Sequence, residues 1–135
     1  MKIDWSGRSH NFSDKDINYF TNVIKKADPL TQGLFLKKFE EKFAKYIKKK
    51  NVLAVSSAAS ALEMIASVID LKKNDEVIVP AHTYCASAIP FARNKAKLIW
   101  SDIDFDTRVV DLNDIKKKIT KKTKAVIIVH MLGYS

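Results

Sequence analysis

The sequence has few cysteines, glycines and prolines, and no long apolar run. Its 135 residues include one cysteine, Cys85, three glycines and three prolines. A single cysteine cannot form an internal disulfide, which fits a reducing compartment. No run of 18 apolar residues occurs, and residues 1–5 have no apolar signal-peptide core. We therefore expect a cytoplasmic protein without a membrane segment.

Arginine is scarce in a chain that is strongly basic. The net charge is +9, and of 24 lysines and arginines only Arg8, Arg93 and Arg108 are arginines, which leaves 21 lysines. Proteins that read phosphates or bases favour the bidentate guanidinium, and aromatic residues do not interleave with the lysine clusters. The lysines fall on the polar faces or ends of predicted helices, so they indicate a solvated surface and predict no nucleic-acid partner.

The first third of the chain predicts an arm and two helices. Residues 1–11 have no clear period and are interpreted as an extended arm. Ser13 and Asp16 are spaced as in a capping box, which predicts a helix start. Apolar residues then repeat every three or four positions over residues 34–49, which predicts a strongly amphipathic second helix.

From Asn51 onward, short apolar runs alternate with helical patterns. The predicted strands are residues 52–55, 77–79, 98–100 and 125–129, and the predicted helices between them are residues 58–69, 85–94 and 112–119. Such alternation requires a parallel, right-handed, doubly wound sheet covered by helices. The predicted fold class is therefore α/β, a partial three-layer α-β-α structure with a mainly parallel sheet.

Polar residues follow each predicted strand, where open α/β sheets bind ligands. Ser57, Ala58, Ala59 and Ser60 join the first strand to a helix through small side chains, so the backbone could approach an anion at the helix N-terminus. The same residues also suit an ordinary helix start with a serine N-cap. Both interpretations stay open on this segment alone.

Five further residues or segments after the strands are candidates for contacts or simple structural roles. Tyr84 could stack on a flat ligand, which gives about 0.5 to 1.5 kcal/mol beyond burial, although a tyrosine packed at the sheet edge is the simpler interpretation in isolation. His82 and His130 have no further ligands at metal spacing, so we predict hydrogen bonding or a structural role and no metal site. Cys85 is expected to be a buried small apolar side chain. Residues 104–107 are interpreted as a turn with side-chain caps.

A set of short motifs occurs in a fixed order along the chain. The segments are Gly33, Phe39-Glu40, Phe43-Ala44, Ser57 with Ala61-Leu62, Asp75-Glu76-Val77-Ile78-Val79-Pro80, Thr83-Tyr84 with Ala86-Ser87, Asp102-Ile103-Asp104, Thr123-Lys124-Ala125-Val126-Ile127, and Val129-His130 with Gly133. This ordered set resembles the DegT/StrS family of PLP-dependent sugar aminotransferases, which has the fold of aspartate aminotransferase. The chain departs from the family pattern at two places: Ala58-Ala59 replaces the usual Gly-Thr, and Asn74 replaces a glycine.

The resemblance implies pyridoxal 5′-phosphate (PLP) as cofactor. It implies that the backbone around Ala58 and Ala59, between Ser57 and Ser60, holds the PLP phosphate, and that Tyr84 stacks on the pyridine ring. The family loads an amino group from glutamate onto PLP and delivers it to a keto group of a nucleotide-linked sugar. Members are usually homodimers with active sites at the subunit interface, so the substrate or interface candidates are Thr31, Gly33, His82 and His130.

The resemblance also sets the expected domain organisation. Residues 1–33 correspond to an arm and first helix, and residues 34–135 to the N-terminal portion of the PLP-binding large domain. The Schiff-base lysine is expected beyond the chain end, so no catalytic residue is predicted here, and the chain alone is expected to be inactive.

Two alternatives remain at this point. A PLP-dependent or PMP-dependent sugar dehydratase of the same fold, with a histidine in place of the lysine, differs only downstream. A small basic module that binds nucleic acid or an acidic surface belongs to a different class and would bind in a strongly salt-dependent manner.

Overall fold

A computed structural model of the chain describes residues 11–134, so all but the last residue of the arm predicted over residues 1–11 lies outside the described residues. The chain divides into two compact units between Ala54 and Val55. The domain boundary predicted after residue 33 marks the start of the family's large domain, and it stays a prediction. No helix in the described range is both long and apolar enough to cross a membrane.

The first unit contains helices α1 (Asp14–Lys26) and α2 (Leu34–Tyr46). The predicted capping box starts α1: the Asp16 N–H donates to Ser13 Oγ at 3.3 Å, and the Ser13 N–H donates to Asp16 Oδ2 at 3.0 Å. Neither helix contains a buried residue, and the aromatic rings of Phe39 and Phe43 stack 5.7 Å apart. The amphipathic pattern therefore forms as predicted, with its apolar stripe exposed.

Gly33 is the N-cap of α2 and lies very close to the preceding turn. A Cβ atom at this position would be 2.3 Å from the carbonyl oxygen of Pro29, so only glycine fits without a shift of the backbone. The predicted second helix is three residues shorter than expected, because Lys48 has a left-handed backbone with φ of 54°.

The second unit is built on three parallel strands, β1 (Glu76–Pro80), β2 (Lys97–Ser101) and β3 (Thr123–Val126). Their order is β2-β1-β3, so β1 is central, and every residue of β1 is buried. The helices are α3 (Ala58–Ile69), α4 (Ile89–Arg93) and α5 (Leu112–Lys118).

Alternate residues of β1 face two different helical layers. Val77 and Val79 belong to a core cluster with Ala66 of α3 and Phe91 of α4. Ile78 belongs to a second cluster with Ile115 of α5. Because successive side chains of a strand point to opposite faces, helices cover both sides of the sheet. The predicted three-layer, doubly wound α/β architecture is confirmed.

The strand predicted over residues 52–55 is not formed in the described part of the chain. No strand between residues 11 and 134 pairs with this segment, and the Ala54 N–H donates instead to the Glu40 carboxylate at 2.9 Å. A strand requires a neighbour for its backbone groups, so an apolar run alone is insufficient.

The helix predicted over residues 85–94 is interrupted. It consists of a 3₁₀ turn, Cys85–Ser87, followed by α4, which has Pro90 in its first turn. Proline has no N–H for a helical bond and clashes with the preceding turn, so the α-helix starts beside it. The expectation that Cys85 is buried is wrong: it is exposed, and Phe91 takes the packed position.

Candidate functional site

The parallel strands of the second unit end at one edge of the sheet, and the polar loops begin there. These loops carry the 3₁₀ turns Cys85–Ser87 and Met131–Gly133 and the turn at residues 104–107. The carboxyl edge of a parallel sheet is the place where open α/β folds bind ligands. The candidate residues of this unit are therefore assessed against this edge.

Ser57 is the N-cap of α3, as expected if residues 57–60 form an ordinary helix start. Its hydroxyl accepts from the Ser60 N–H at 3.1 Å, and its carbonyl accepts from the Ala61 N–H at 3.1 Å. The N–H groups of Ala58 and Ala59 have no acceptor within the described residues. A capped helix start and an anion-binding start are thus compatible, because the cap uses only one of the free amides.

A cluster of three serine hydroxyls lies beside these amides. The Oγ atoms of Ser56 and Ser57 are each 3.0 Å from the Oγ atom of Ser60. Hydroxyls rotate to donate to whichever acceptor is present, and the helix N-terminus favours negative charge. The donor set therefore fits a phosphate or another oxyanion, even though an alanine stands where the family pattern has threonine.

Tyr84 immediately precedes the 3₁₀ turn, and 76% of its surface is exposed. Its carbonyl accepts from the Ser87 N–H at 2.9 Å, and the neighbouring Thr83 hydroxyl donates to Ser87 Oγ at 2.9 Å. Helix α3 contacts this turn, so the tyrosine loop and the serine-rich helix belong to adjacent elements. The interpretation of Tyr84 as a packed edge residue does not describe this exposed ring.

His82 lies at a cavity of about 470 Å³ formed by the loops of the second unit. Its Nδ1 atom is 3.3 Å from the Arg108 carbonyl oxygen. Because a carbonyl only accepts, Nδ1 carries the proton, which leaves Nε2 of a neutral ring as an acceptor. The cavity is lined by His82, Asp106, Thr107, Arg108, Met131, Leu132 and Tyr134.

The turn predicted at residues 104–107 is present. The Asp104 carboxylate accepts from the Thr107 N–H and hydroxyl, both at 2.8 Å, and from the Asp106 N–H at 3.1 Å. The bonds from Thr107 and then that from Asp106 hold the pKa of Asp104 below its ordinary value. This carboxylate is thus a cap of the turn that presents Arg108.

The other candidates predicted from the sequence, His130, Thr31 and Gly33, do not line the cavity. His130 is exposed, and its carbonyl accepts from the Gly133 N–H at 3.0 Å, but its side chain does not line the cavity. Thr31 and Gly33 belong to the first unit, where Gly33 has the steric role described above. Between residues 11 and 134, no three His, Cys, Asp or Glu side chains are placed to hold a metal.

Sequence reasoning did not select the cavity residues Thr107, Arg108 and Tyr134. Two sequence features could have identified Arg108 as a candidate: it is one of three arginines in a lysine-rich chain, and it directly follows a capped turn. Arg108 is 26 residues from His82 in sequence, and no local sequence pattern predicts a contact over that separation.

Comparison with known proteins relates the chain to one family. The model of the DegT/DnrJ/EryC1/StrS aminotransferase family matches residues 11–135. A dTDP-3-amino-3,6-dideoxy-alpha-D-galactopyranose transaminase of Aneurinibacillus thermoaerophilus is 35% identical, with 90% of this chain and 33% of the relative covered. A GDP-4-keto-6-deoxy-D-mannose 3-dehydratase of Yersinia pseudotuberculosis is 35% identical, with 98% of this chain and 35% of the relative covered.

A solved structure shares the same fold. It is a GDP-4-keto-6-deoxymannose-3-dehydratase with a trapped PLP-glutamate geminal diamine, with a TM-score of 0.82 and 28% identity. The match covers 90% of this chain and 33% of that one. The chain therefore spans about a third of the length of the relatives it matches.

Proposed function

Because the chain belongs to the DegT/DnrJ/EryC1/StrS aminotransferase family, we propose that it forms the phosphate-binding and ring-binding part of a PLP site. The whole enzyme would move an amino group from glutamate to a keto group of a nucleotide-linked sugar. The observation that carries this proposal is the pairing of unbonded amides at the start of α3 with the exposed ring of Tyr84 on an adjacent turn.

The phosphate end of PLP is proposed to bind at the start of α3. The Ala58 and Ala59 N–H groups donate to the phosphate, and the hydroxyls of Ser57 and Ser60 complete its hydrogen bonds. Such charge-assisted bonds are about twice as strong as neutral ones, and the helix dipole adds to them. Ser60 supplies a hydroxyl that the Ala59 methyl group cannot.

The ring of PLP is proposed to lie against Tyr84. Stacking on an aromatic side chain orients a flat heterocycle and contributes about 0.5 to 1.5 kcal/mol beyond burial. When bound, PLP supplies the electron sink and the carrier for the amino group. The residues of this chain bind and orient it, so their effect is on affinity and alignment.

The remaining assignments rest on the family resemblance. We propose a cytoplasmic homodimer in which Thr31, Gly33 and His130 are substrate or interface residues. His82 is proposed to contact the substrate, because its Nε2 atom is an available acceptor at the cavity.

A sugar dehydratase is the second candidate, because a relative with that name is 35% identical over 98% of this chain. The two reactions differ in what leaves the sugar. An assay of the whole enzyme with a nucleotide-linked keto-sugar and glutamate separates them: the aminotransferase yields an amino sugar, and the dehydratase yields a deoxysugar without nitrogen.

Equilibrium dialysis with pyridoxamine 5′-phosphate tests the proposed cofactor site on the chain itself. This ligand has the phosphate and ring of PLP, but its amine cannot condense with the 21 lysines of the chain. Pyridoxamine without the phosphate is the matched control.

We expect the phosphorylated ligand to bind at least about tenfold more tightly, because charge-assisted bonds contribute about 1.5 to 3 kcal/mol. Inorganic phosphate should compete with it. Equal affinities for the two ligands would contradict a phosphate site at α3, and absence of binding by both would contradict the proposed function.

A further inference from the structure

The cavity beside His82 is also lined by Arg108, whose side chain has no role in the proposed cofactor site. The Arg108 guanidinium lies 4.5 Å from the centre of the Phe105 ring, and both residues are exposed. Within the described residues, no carboxylate or carbonyl accepts from this guanidinium. Stacking on an aromatic ring orients the planar guanidinium while its N–H donors remain available to a ligand.

The backbone holds Arg108 firmly in this position. Its N–H donates to the Asp104 carbonyl at 2.9 Å, and its own carbonyl accepts from His82 Nδ1 at 3.3 Å. Its φ is 62°, in the left-handed region that arginine rarely adopts, and Leu132 across the cavity has φ of 54°. Backbone strain of this kind persists only where the surrounding structure enforces it, and it concentrates at ligand sites.

The cavity has the size and chemical character of a ligand site. Its volume of about 470 Å³ lies within the usual range for small-molecule pockets. Met131, Leu132 and Tyr134 form largely apolar walls, while Arg108 and His82 provide polar groups at one side. The site therefore suits a ligand that places an oxyanion beside Arg108 and is otherwise uncharged and partly apolar.

We propose that Arg108, positioned by the His82 hydrogen bond to its carbonyl oxygen, holds the diphosphate of the nucleotide-linked sugar. This proposal rests on the proposed function, which supplies a substrate of that class. The planar fork of arginine matches two oxygens of a phosphate at once. The apolar walls suit the nucleoside part, and the Asp106 carboxylate can accept hydrogen bonds from sugar hydroxyls.

Glutamate is the other oxyanion in the proposed reaction, and it fits this cavity less well. It is small, and it carries two carboxylates, of which Arg108 can pair with only one in a cavity that also contains the like charge of Asp106. In a nucleotide-linked sugar the charge is confined to the diphosphate, and the nucleoside and the sugar on either side of it are uncharged. The lysines near the chain surface provide no comparable fixed geometry, because an ammonium group is a flexible point charge.

The test measures dissociation constants of GDP, UDP, dTDP, inorganic pyrophosphate and glutamate for the 135-residue chain and its variants. Arg108→Gly removes the guanidinium and tolerates the left-handed backbone, and Arg108→Lys keeps the charge without the fork. Arg93→Ala is the matched control, because it also removes one arginine, which is paired with Glu63 outside the cavity. Circular dichroism verifies that each variant is folded.

We expect at least one nucleoside diphosphate to bind, with an affinity reduced about tenfold or more by Arg108→Gly and less by Arg108→Lys. Arg93→Ala should change it by less than about twofold. Equal losses in the Arg108 and Arg93 variants, no nucleotide binding by the unmodified chain, or an effect on glutamate alone would each overturn the proposal.

Binding of pyridoxamine 5′-phosphate, measured in parallel, separates this proposal from the proposed function. Arg108→Gly should leave that affinity unchanged, because Arg108 is not among the proposed cofactor contacts. Arg108-dependent nucleotide binding without cofactor binding would support the diphosphate site and contradict the proposed PLP site. The reverse result would retain the PLP site and overturn the diphosphate site.

Discussion

Replacement of Phe91 with alanine tests where the core of the second unit lies. Phe91 is the largest fully buried side chain in the described part of the chain, and it is 0% exposed. It packs between α3 and β1, in a cluster with Ala66, Val77 and Val79. The cluster includes Ala66 of α3 and Ala88, which ends the 3₁₀ turn after Tyr84, so its loss should loosen the elements that carry the candidate site.

The expected cost of Phe91→Ala is about 3 to 5 kcal/mol of unfolding free energy, because a buried aromatic ring is lost and a cavity remains. Small domains have a total stability of about 5 to 15 kcal/mol, so the variant should be marginally folded. Val79→Ala removes two buried methyl groups and should cost about 2 kcal/mol. Val68→Ala makes the same change at a position that is 84% exposed and should cost less than about 0.5 kcal/mol.

Urea unfolding followed by Trp100 fluorescence provides the measurement. Trp5 and Trp100 are the two tryptophans of the chain, so a Trp5→Phe background makes the signal specific to β2 of the second unit. A loss below about 1 kcal/mol for Phe91→Ala, or equal losses for the two valine variants, would refute the described core.

Three further predictions concern the ring, the α2 cap and the acidic turn. Tyr84→Ala should weaken pyridoxamine 5′-phosphate binding about two- to tenfold in equilibrium dialysis while Tyr84→Phe retains it, and equal losses would exclude stacking. Gly33→Ala should lower stability by about 1 to 3 kcal/mol in thermal unfolding, because its Cβ atom would lie 2.3 Å from the Pro29 carbonyl oxygen, and an unchanged melting temperature would contradict that geometry. The hydrogen bonds from Thr107 keep the folded-state pKa of Asp104 below its ordinary value of 3.8, so its charge stabilises the fold above that pH and ceases to do so as the pH falls through the folded pKa. At neutral pH the native chain should therefore melt at a higher temperature than Asp104→Asn, and this difference should vanish on acidification. A difference in melting temperature that grows in acid would contradict a lowered pKa of Asp104.

Local patterns predicted the local structure well. The spacing of Ser13 and Asp16 correctly placed the start of α1, because a capping box is made entirely within four residues. The apolar run around Val77 correctly gave β1, since a central strand buried on both faces requires continuous apolar side chains, and the run around Leu98 correctly gave β2.

Features that depend on distant partners were not predictable in this way. Residues 52–55 have a strand-like composition, but their backbone needs a neighbouring strand, and the Glu40 carboxylate takes that place at Ala54. Pro90 divided a predicted helix through its missing N–H group. The cavity that joins His82 to Arg108 arises from the meeting of two loops, so the sequence predicted the position of the site but only part of its residues.

The central claim is that the cofactor phosphate binds the free amides at the start of α3. Two-dimensional amide NMR of the 15N-labelled chain, titrated with pyridoxamine 5′-phosphate, tests it most directly. We expect the largest shifts at Ala58, Ala59 and Ser60, with smaller shifts around Tyr84 from the aromatic ring. Shifts confined to lysine-rich segments such as residues 116–118, with no change at α3, would contradict it.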